Sequence, residues 1–113
     1  MTAEPQVLGM VLEPNQVQLE LALAPDLVFF EGHFPDCAIL PGVVQIGWAI
    51  DYARRHLGLQ GQCVGMKAVK FSRAIQPQMP VTLTATLAAE GAHLHFVYRS
   101  QTTECSSGIA LFA

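Results

Sequence analysis

One segment sets the terms for the whole fold. Residues 42–57 contain few turn signals, and over their first half apolar residues occupy nearly every side of a helical wheel. Pro41 suits the first turn of such a helix, where its missing N–H would have had no partner. Gly58 stands as the C-terminal stop, with Arg54, Arg55 and His56 in the last turn to complement the negative end of the helix dipole. Val43, Val44, Ile46, Gly47, Trp48, Ala49 and Ile50 leave little polar surface to offer to water. A helix of this kind is enclosed by the rest of the protein.

The remainder of the chain is strand-like. Residues 6–12 and 16–23 are apolar-rich and separated by Pro14-Asn15, which predicts two strands joined by a turn. In the second, Val17, Leu19, Leu21 and Leu23 alternate with Gln18, Glu20 and Ala22, the period of a half-buried strand. Four more strand-like segments follow the helix, at about 62–73, 79–89, 92–100 and 104–112, with a hairpin signal at Glu90-Gly91. Two strands, one buried helix and four strands form an α+β order. With one sheet available, the expected architecture is a strongly curved antiparallel sheet wrapped around one long central helix. At 113 residues the chain suits one domain and is too short for two, so residues 1–113 are expected to form a single domain.

Composition bears on partners. Charged residues make up 13% of the chain, against about 25% in typical domains, while hydrophobic residues reach 51%. So few charges leave apolar surface that an oligomer interface would cover. A net charge of −3 offers no general attraction to nucleic acid. Five of the six basic residues, Arg54, Arg55, Lys67, Lys70 and Arg73, nevertheless fall between 54 and 73. They either solvate one helix end and one strand or form a patch for an acidic partner. Cys37, Cys63 and Cys105 are odd in number and widely spaced, which argues against a disulfide framework or zinc site and fits a reducing cytoplasm. The first residues lack the basic and apolar regions of a signal peptide, and the longest nearly apolar stretch, 37–50, is too short to span a membrane. A soluble, cytoplasmic protein is expected.

Residues 32–43, Gly-His-Phe-Pro-Asp-Cys-Ala-Ile-Leu-Pro-Gly-Val, carry the chemistry. They set His33 on a tight apolar loop that leads into the helix N-terminus, bringing a base close to an anion-stabilising dipole. That combination suits reaction at a carbonyl compound; the plainer reading is a histidine bonded to backbone. His93 and His95 alternate on one strand face at a spacing compatible with metal, but without a nearby Asp, Glu or Cys they read as solvated positions. No metal site is predicted. Trp48, Phe29, Phe30 and Phe34 are core or tunnel wall. Cys37 has no adjacent base to activate it and reads as a small apolar filler. Gln45, early in the helix, reaches either the loop backbone or a substrate.

Gly32-His33-Phe34-Pro35, followed by Leu40-Pro41-Gly42-Val43, resembles the signature of the hot-dog-fold 3-hydroxyacyl-thioester dehydratases of fatty-acid synthesis. Lys70-Phe71-Ser72-Arg73 with Ile75, Pro77 and Val81 is similar to that family's third-strand region. Val43-Val44-Gln45 and Trp48-Ala49 add a likeness to a small dehydratase-like subfamily associated with aryl polyene pigment biosynthesis. This resemblance spans residues 16–112 and implies a hot-dog fold, a dimer with catalytic side chains from both subunits, and an acyl substrate on acyl carrier protein. It implies no cofactor. His33 would remove the proton alpha to the thioester carbonyl, and the N–H of Gly42, helped by Val43, would polarise the thioester oxygen. Phe34, Pro41, Val43, Gln45 and Gly47 would contact the substrate, and the five basic residues between 54 and 73 would face the acidic carrier.

The departures are as informative. Where the family places an Asp or Glu to protonate the departing hydroxyl, this chain has Gly47. Asp36 and Ala38 replace the usual Gly and Pro of the loop, and Ala74 and Gln78-Met79 the usual Pro and Gly-Asp of strand three. General acid catalysis typically contributes ~10²–10⁴-fold, about 3–5 kcal/mol, so base and oxyanion donor alone would leave real activity. Asp51 falls one turn after Gly47 and would either reach the substrate hydroxyl through a water or pair with Arg54. Three expectations follow. The first is a homodimeric dehydratase using His33, Gly42 and Asp51. The second is a non-catalytic acyl-binding subunit, or a heterodimer subunit whose hot-dog partner donates the missing carboxylate. The third, ranked last because Gly-His-Phe-Pro is not its signature, is an acyl thioesterase.

Overall fold

The computed structural model describes residues 4–25, 27 and 38–113. Their elements run β1 (Gln6–Glu13), β2 (Gln16–Ala22), α1 (Gly42–His56), β3 (Cys63–Phe71), β4 (Val81–Ala88), β5 (His93–Ser100) and β6 (Thr103–Phe112), with a short 3-10 turn at Ala89–Gly91. All six strands join one antiparallel sheet in the order β1-β2-β4-β5-β6-β3. This is the α+β arrangement that the order of elements predicts and the hot-dog fold that the resemblance implies.

Alternation builds the inner face of the sheet. Val17, Leu19 and Leu21 of β2 are buried and stand opposite Ala85, Leu83 and Val81 of β4. Leu83 and Ala85 face Tyr98 and Phe96 of β5 in turn. Onto this surface α1 lays Gln45, Trp48, Ala49, Tyr52 and Ala53, a set at helical spacing. Burial of each large apolar side chain is worth about 1.5–3 kcal/mol, so this face fixes the helix on the sheet. Both hairpin signals hold: Glu13 pairs with Gln16 across Pro14-Asn15, and Ala88 with His93 across the Glu90-Gly91 turn.

Among the described residues, the helix is covered chiefly from the sheet side. Val43 is 77% exposed, and Ile46, Gly47 and Ile50 are only partly covered. One concave sheet embraces half of a cylinder, so the enclosure expected for so apolar a helix is incomplete within a single chain. The sheet edges are also open: Leu8, Val11 and Leu12 on β1 and Val64 and Phe71 on β3 are exposed. No helix among the described residues is long and apolar enough to cross a membrane.

Candidate active site

The start of α1 is fixed before the helix begins. Leu40 N–H donates to the Ile75 carbonyl at 2.8 Å, and Pro41 follows as N-cap with φ −60° and ψ 145°. Proline offers no capping side chain, and the first turn holds no acidic residue. The N–H groups of Val44 and Gln45 turn back to the Pro41 carbonyl at 3.1 and 3.2 Å. Those of Gly42 and Val43 have no acceptor among the described residues. They form the positive end of the helix dipole.

These two donors open onto a cavity of about 510 Å³, lined by Ile39, Leu40, Pro41, Gly42, Val43, Gln45, Ile46, Phe71, Arg73 and Ala74. The walls are mostly hydrocarbon, which strengthens any hydrogen bond made inside. Phe71, at the end of β3, lays its ring on Gly42; a Cβ at residue 42 would come within 2.5 Å of the ring tip. A side chain at residue 42 would therefore have to push the half-exposed Phe71 ring aside, whereas the backbone conformation itself does not demand glycine. The sequence supplied Phe71 without a role, and only the fold brings it to the helix.

Gln45 is 4% exposed. Its Nε2 donates to the Leu40 carbonyl at 3.1 Å, and its Oε1 accepts from Ser106 Oγ at 2.6 Å. The Tyr98 hydroxyl donates to the Gln45 backbone carbonyl at 2.7 Å. Of the two reaches open to it, the Gln45 side chain makes the one to backbone. Burial raises the Tyr98 pKa well above its ordinary value, so the hydroxyl keeps its proton and its donor role. Ser106 and Tyr98 are missed by sequence reasoning. Tyr98 was legible in the alternation of Leu94, Phe96 and Tyr98, whereas Ser106 had no local signal.

The remaining predicted residues lie further out. Among the described residues a Cβ at Gly47 would meet nothing within 4 Å, so the position where the resemblance expects an acid is open on that face of the helix. Asp51 is exposed and lies outside the residues lining the cavity. Arg54 donates to the Gly61 carbonyl at 3.0 Å and lies over the Phe112 ring, so its described contacts are with those residues rather than with Asp51. Arg55 pairs with Glu4 at 2.6 Å and lies over Tyr52; the bond to Glu4 raises its pKa. These two arginines stand about 18 Å from Gly42 along the helix axis, given 1.5 Å per residue. Lys67 and Lys70 are exposed along β3, and Arg73 reaches the cavity. The basic run therefore spreads along β3 from one end of α1 to the other. His33 and Phe34 lie outside the described residues, as do Phe29, Phe30 and Cys37. The rings of His93 and His95 are 6.5 Å apart, and no group of three potential metal ligands occurs among the described residues. A larger cavity of about 640 Å³ at the β1, β2 and β4 side, lined by Leu8, Leu23, Met79 and Gln101 among others, contains none of the predicted site residues.

The sequence model of the ApeI-like family, described as ApeI dehydratase, matches residues 10–109. The chain belongs to the ApeI-like dehydratase family. The dehydratase heterocomplex ApeI:P from Xenorhabdus doucetiae contains a chain of the same shape, with TM-score 0.91 and 28% identity over 97% of this chain and 98% of that one. An uncharacterized protein from Erwinia carotovora subsp. atroseptica is also similar, with TM-score 0.85 and 29% identity over 97% and 96% of the two chains. Mouse (Mus musculus) thioesterase superfamily member 2 shares the fold alone, at 13% identity and TM-score 0.69 over 96% of this chain and 80% of that one. Among curated proteins, a 3-hydroxyacyl-[acyl-carrier-protein] dehydratase FabZ from Ruminiclostridium cellulolyticum is 33% identical over 66 residues. That match takes in 52% of this chain and spans about half, 46%, of the FabZ protein.

Proposed function

We propose that this chain removes water from a 3-hydroxyacyl thioester to give the trans-2-enoyl thioester, with the acyl group carried on acyl carrier protein. The observation that carries the reading is the pair of N–H groups at Gly42 and Val43, which find no acceptor among the described residues and open onto an apolar cavity. His33, as the base, takes the proton from the carbon alpha to the carbonyl. The electron pair moves onto the thioester oxygen, which Gly42 and Val43 receive as hydrogen-bond donors. As the carbonyl re-forms, the C3–O bond breaks and the hydroxyl leaves, taking up a proton to become water. The proton that His33 took returns to the departing hydroxyl, with Asp51, exposed beyond the cavity lining, placed to relay it through a bridging water. Phe34, Pro41 and Val43 flank the acyl chain beside Gly47, Gln45 sits behind them, and no cofactor takes part.

Lys67, Lys70 and Arg73, with Arg54 and Arg55 beyond them, favour an acidic carrier by charge. The uncovered α1 face and the open β3 edge favour a dimer, and the spacing of the cysteines favours the cytoplasm. Purified protein incubated with a 3-hydroxyacyl carrier substrate is expected to form the enoyl thioester, and His33→Ala to slow it by ~10²–10⁴-fold. An unchanged rate in that variant contradicts the mechanism. A second reading has a specific observation behind it: the space left open at Gly47 among the described residues and the likeness to a chain of a dehydratase heterocomplex suit a hot-dog partner that donates the carboxylate. Activity that appears only on mixing with such a partner favours this reading, and full activity of the homodimer removes it.

A further inference from the structure

The buried face of α1 is apolar except at one residue. Trp48, Ala49, Tyr52 and Ala53 fill the sheet side, yet Gln45 stands among them, opposite a serine that is 1% exposed. A buried carboxamide is costly unless each of its groups is bonded, and packing alone would favour an apolar side chain there. The geometry points to Gln45 as a positioning residue: braced by Ser106 and Tyr98, it fixes Leu40 and thereby aims the Gly42 and Val43 N–H groups at the substrate carbonyl. This rests on the reading above that those groups receive the thioester oxygen.

The chemistry of the partners fixes the orientation of the amide. The Leu40 carbonyl can only accept, so the Gln45 NH₂ must face it, and the oxygen is left for the Ser106 hydroxyl. Leu40 is thereby held at both peptide groups, its N–H by Ile75 and its carbonyl by Gln45. Pro41 comes next with its φ set by the ring. The Tyr98 hydroxyl holds the Gln45 backbone from β5, while the side chain is held by Ser106 of β6. Gly42 and Val43 thus sit between two anchored residues, 40 and 45, that are joined to each other by one side chain. An oxyanion donor acts only when it lies about 2.7–3.1 Å from the developing charge, so small changes in aim cost rate rather than binding.

The test is the infrared carbonyl band of a carbon-13-labelled trans-2-enoyl pantetheine thioester bound to the full chain. In the unmodified protein the band is expected to shift to lower frequency than in water. Ser106→Ala is expected to lose at least half of that shift, with kcat down about tenfold to a hundredfold and KM nearly unchanged. Tyr98→Phe removes one hydroxyl and leaves the helix backbone intact, so it is expected to fold and to show a smaller change of the same kind. Gln45→Glu lacks a donor for Leu40 while ionised, and its shift is expected to return as the pH is lowered and the carboxyl regains a proton. A full shift and unaltered kcat in folded Ser106→Ala or Tyr98→Phe overturn the positioning role while leaving the site in place. An unshifted band in the unmodified protein overturns the site and the positioning role together.

Discussion

The two ends of α1 are built in opposite ways. At the C-terminal end Leu57 and Leu59 both donate to the Ala53 carbonyl, Gly58 turns the chain at φ +70°, and Arg54 reaches across to Gly61. At the N-terminal end Pro41 supplies no side-chain cap, the first turn holds no acid, and two N–H groups open onto an apolar cavity. A capping side chain is typically worth about 0.5–2 kcal/mol, and this chain does without it. The same end is nonetheless anchored from below by Gln45, Ser106 and Tyr98. One end is finished for stability. The other is held by these bonds while its first N–H groups find no acceptor among the described residues, which suits a binding site for a developing negative charge.

Substitutions at the two ends should therefore separate rate from stability. The largest effect is expected at Gly47, on the open face beside the unsatisfied end. Gly47→Asp adds a carboxylate where a Cβ meets nothing within 4 Å among the described residues. Turnover of the homodimer should rise by about tenfold to a hundredfold, the lower part of the range for general acid catalysis, in an assay of enoyl formation. Gly42→Ala forces a methyl into the Phe71 ring and should cost roughly 1–3 kcal/mol in urea unfolding, together with activity. Adding Phe71→Ala should restore most of the stability, a coupling that a double-mutant cycle measures.

At the finished end, Gly58→Ala places a side chain in left-handed backbone and should cost about 1–2 kcal/mol with the specific rate unchanged. The smallest effect concerns alkaline pH. Burial raises the Tyr98 pKa in the folded state, so the unfolded chain loses this proton first, near an ordinary tyrosine pKa of about 10. The contribution of Tyr98 is complete below that pH and is lost as pH rises beyond it. Tyr98→Phe should flatten that decline when stability is followed by denaturant unfolding across the alkaline range.

Much of the fold was legible because it rests on local pattern. The β2 alternation, the two hairpin turns, and Pro41 and Gly58 at the bounds of α1 all depend on neighbours in the chain. The site was legible only in part. Its donors, Gly42 and Val43, could be found from the helix start, but what aims them comes from far along the sequence. Ser106 and Ser107 look alike as letters, and only the register that sets Ser106 opposite Tyr98 selects which one turns inward. Phe71 meets Gly42 because β3 returns along the helix, a contact without local signature. The same return explains why basic residues close in sequence end up far apart. Composition revealed surplus apolar surface, and the structure locates it on the open face of α1 and the two sheet edges.

The location of the acyl site is tested most directly by following backbone amide resonances of the isotope-labelled protein as a trans-2-enoyl thioester is added. The Gly42 and Val43 amide protons should move furthest downfield, while those of Leu8 and Gln101 beside the larger cavity stay in place. Largest shifts at Leu8 and Gln101, with Gly42 and Val43 unmoved, would contradict an acyl site at the unsatisfied end of α1.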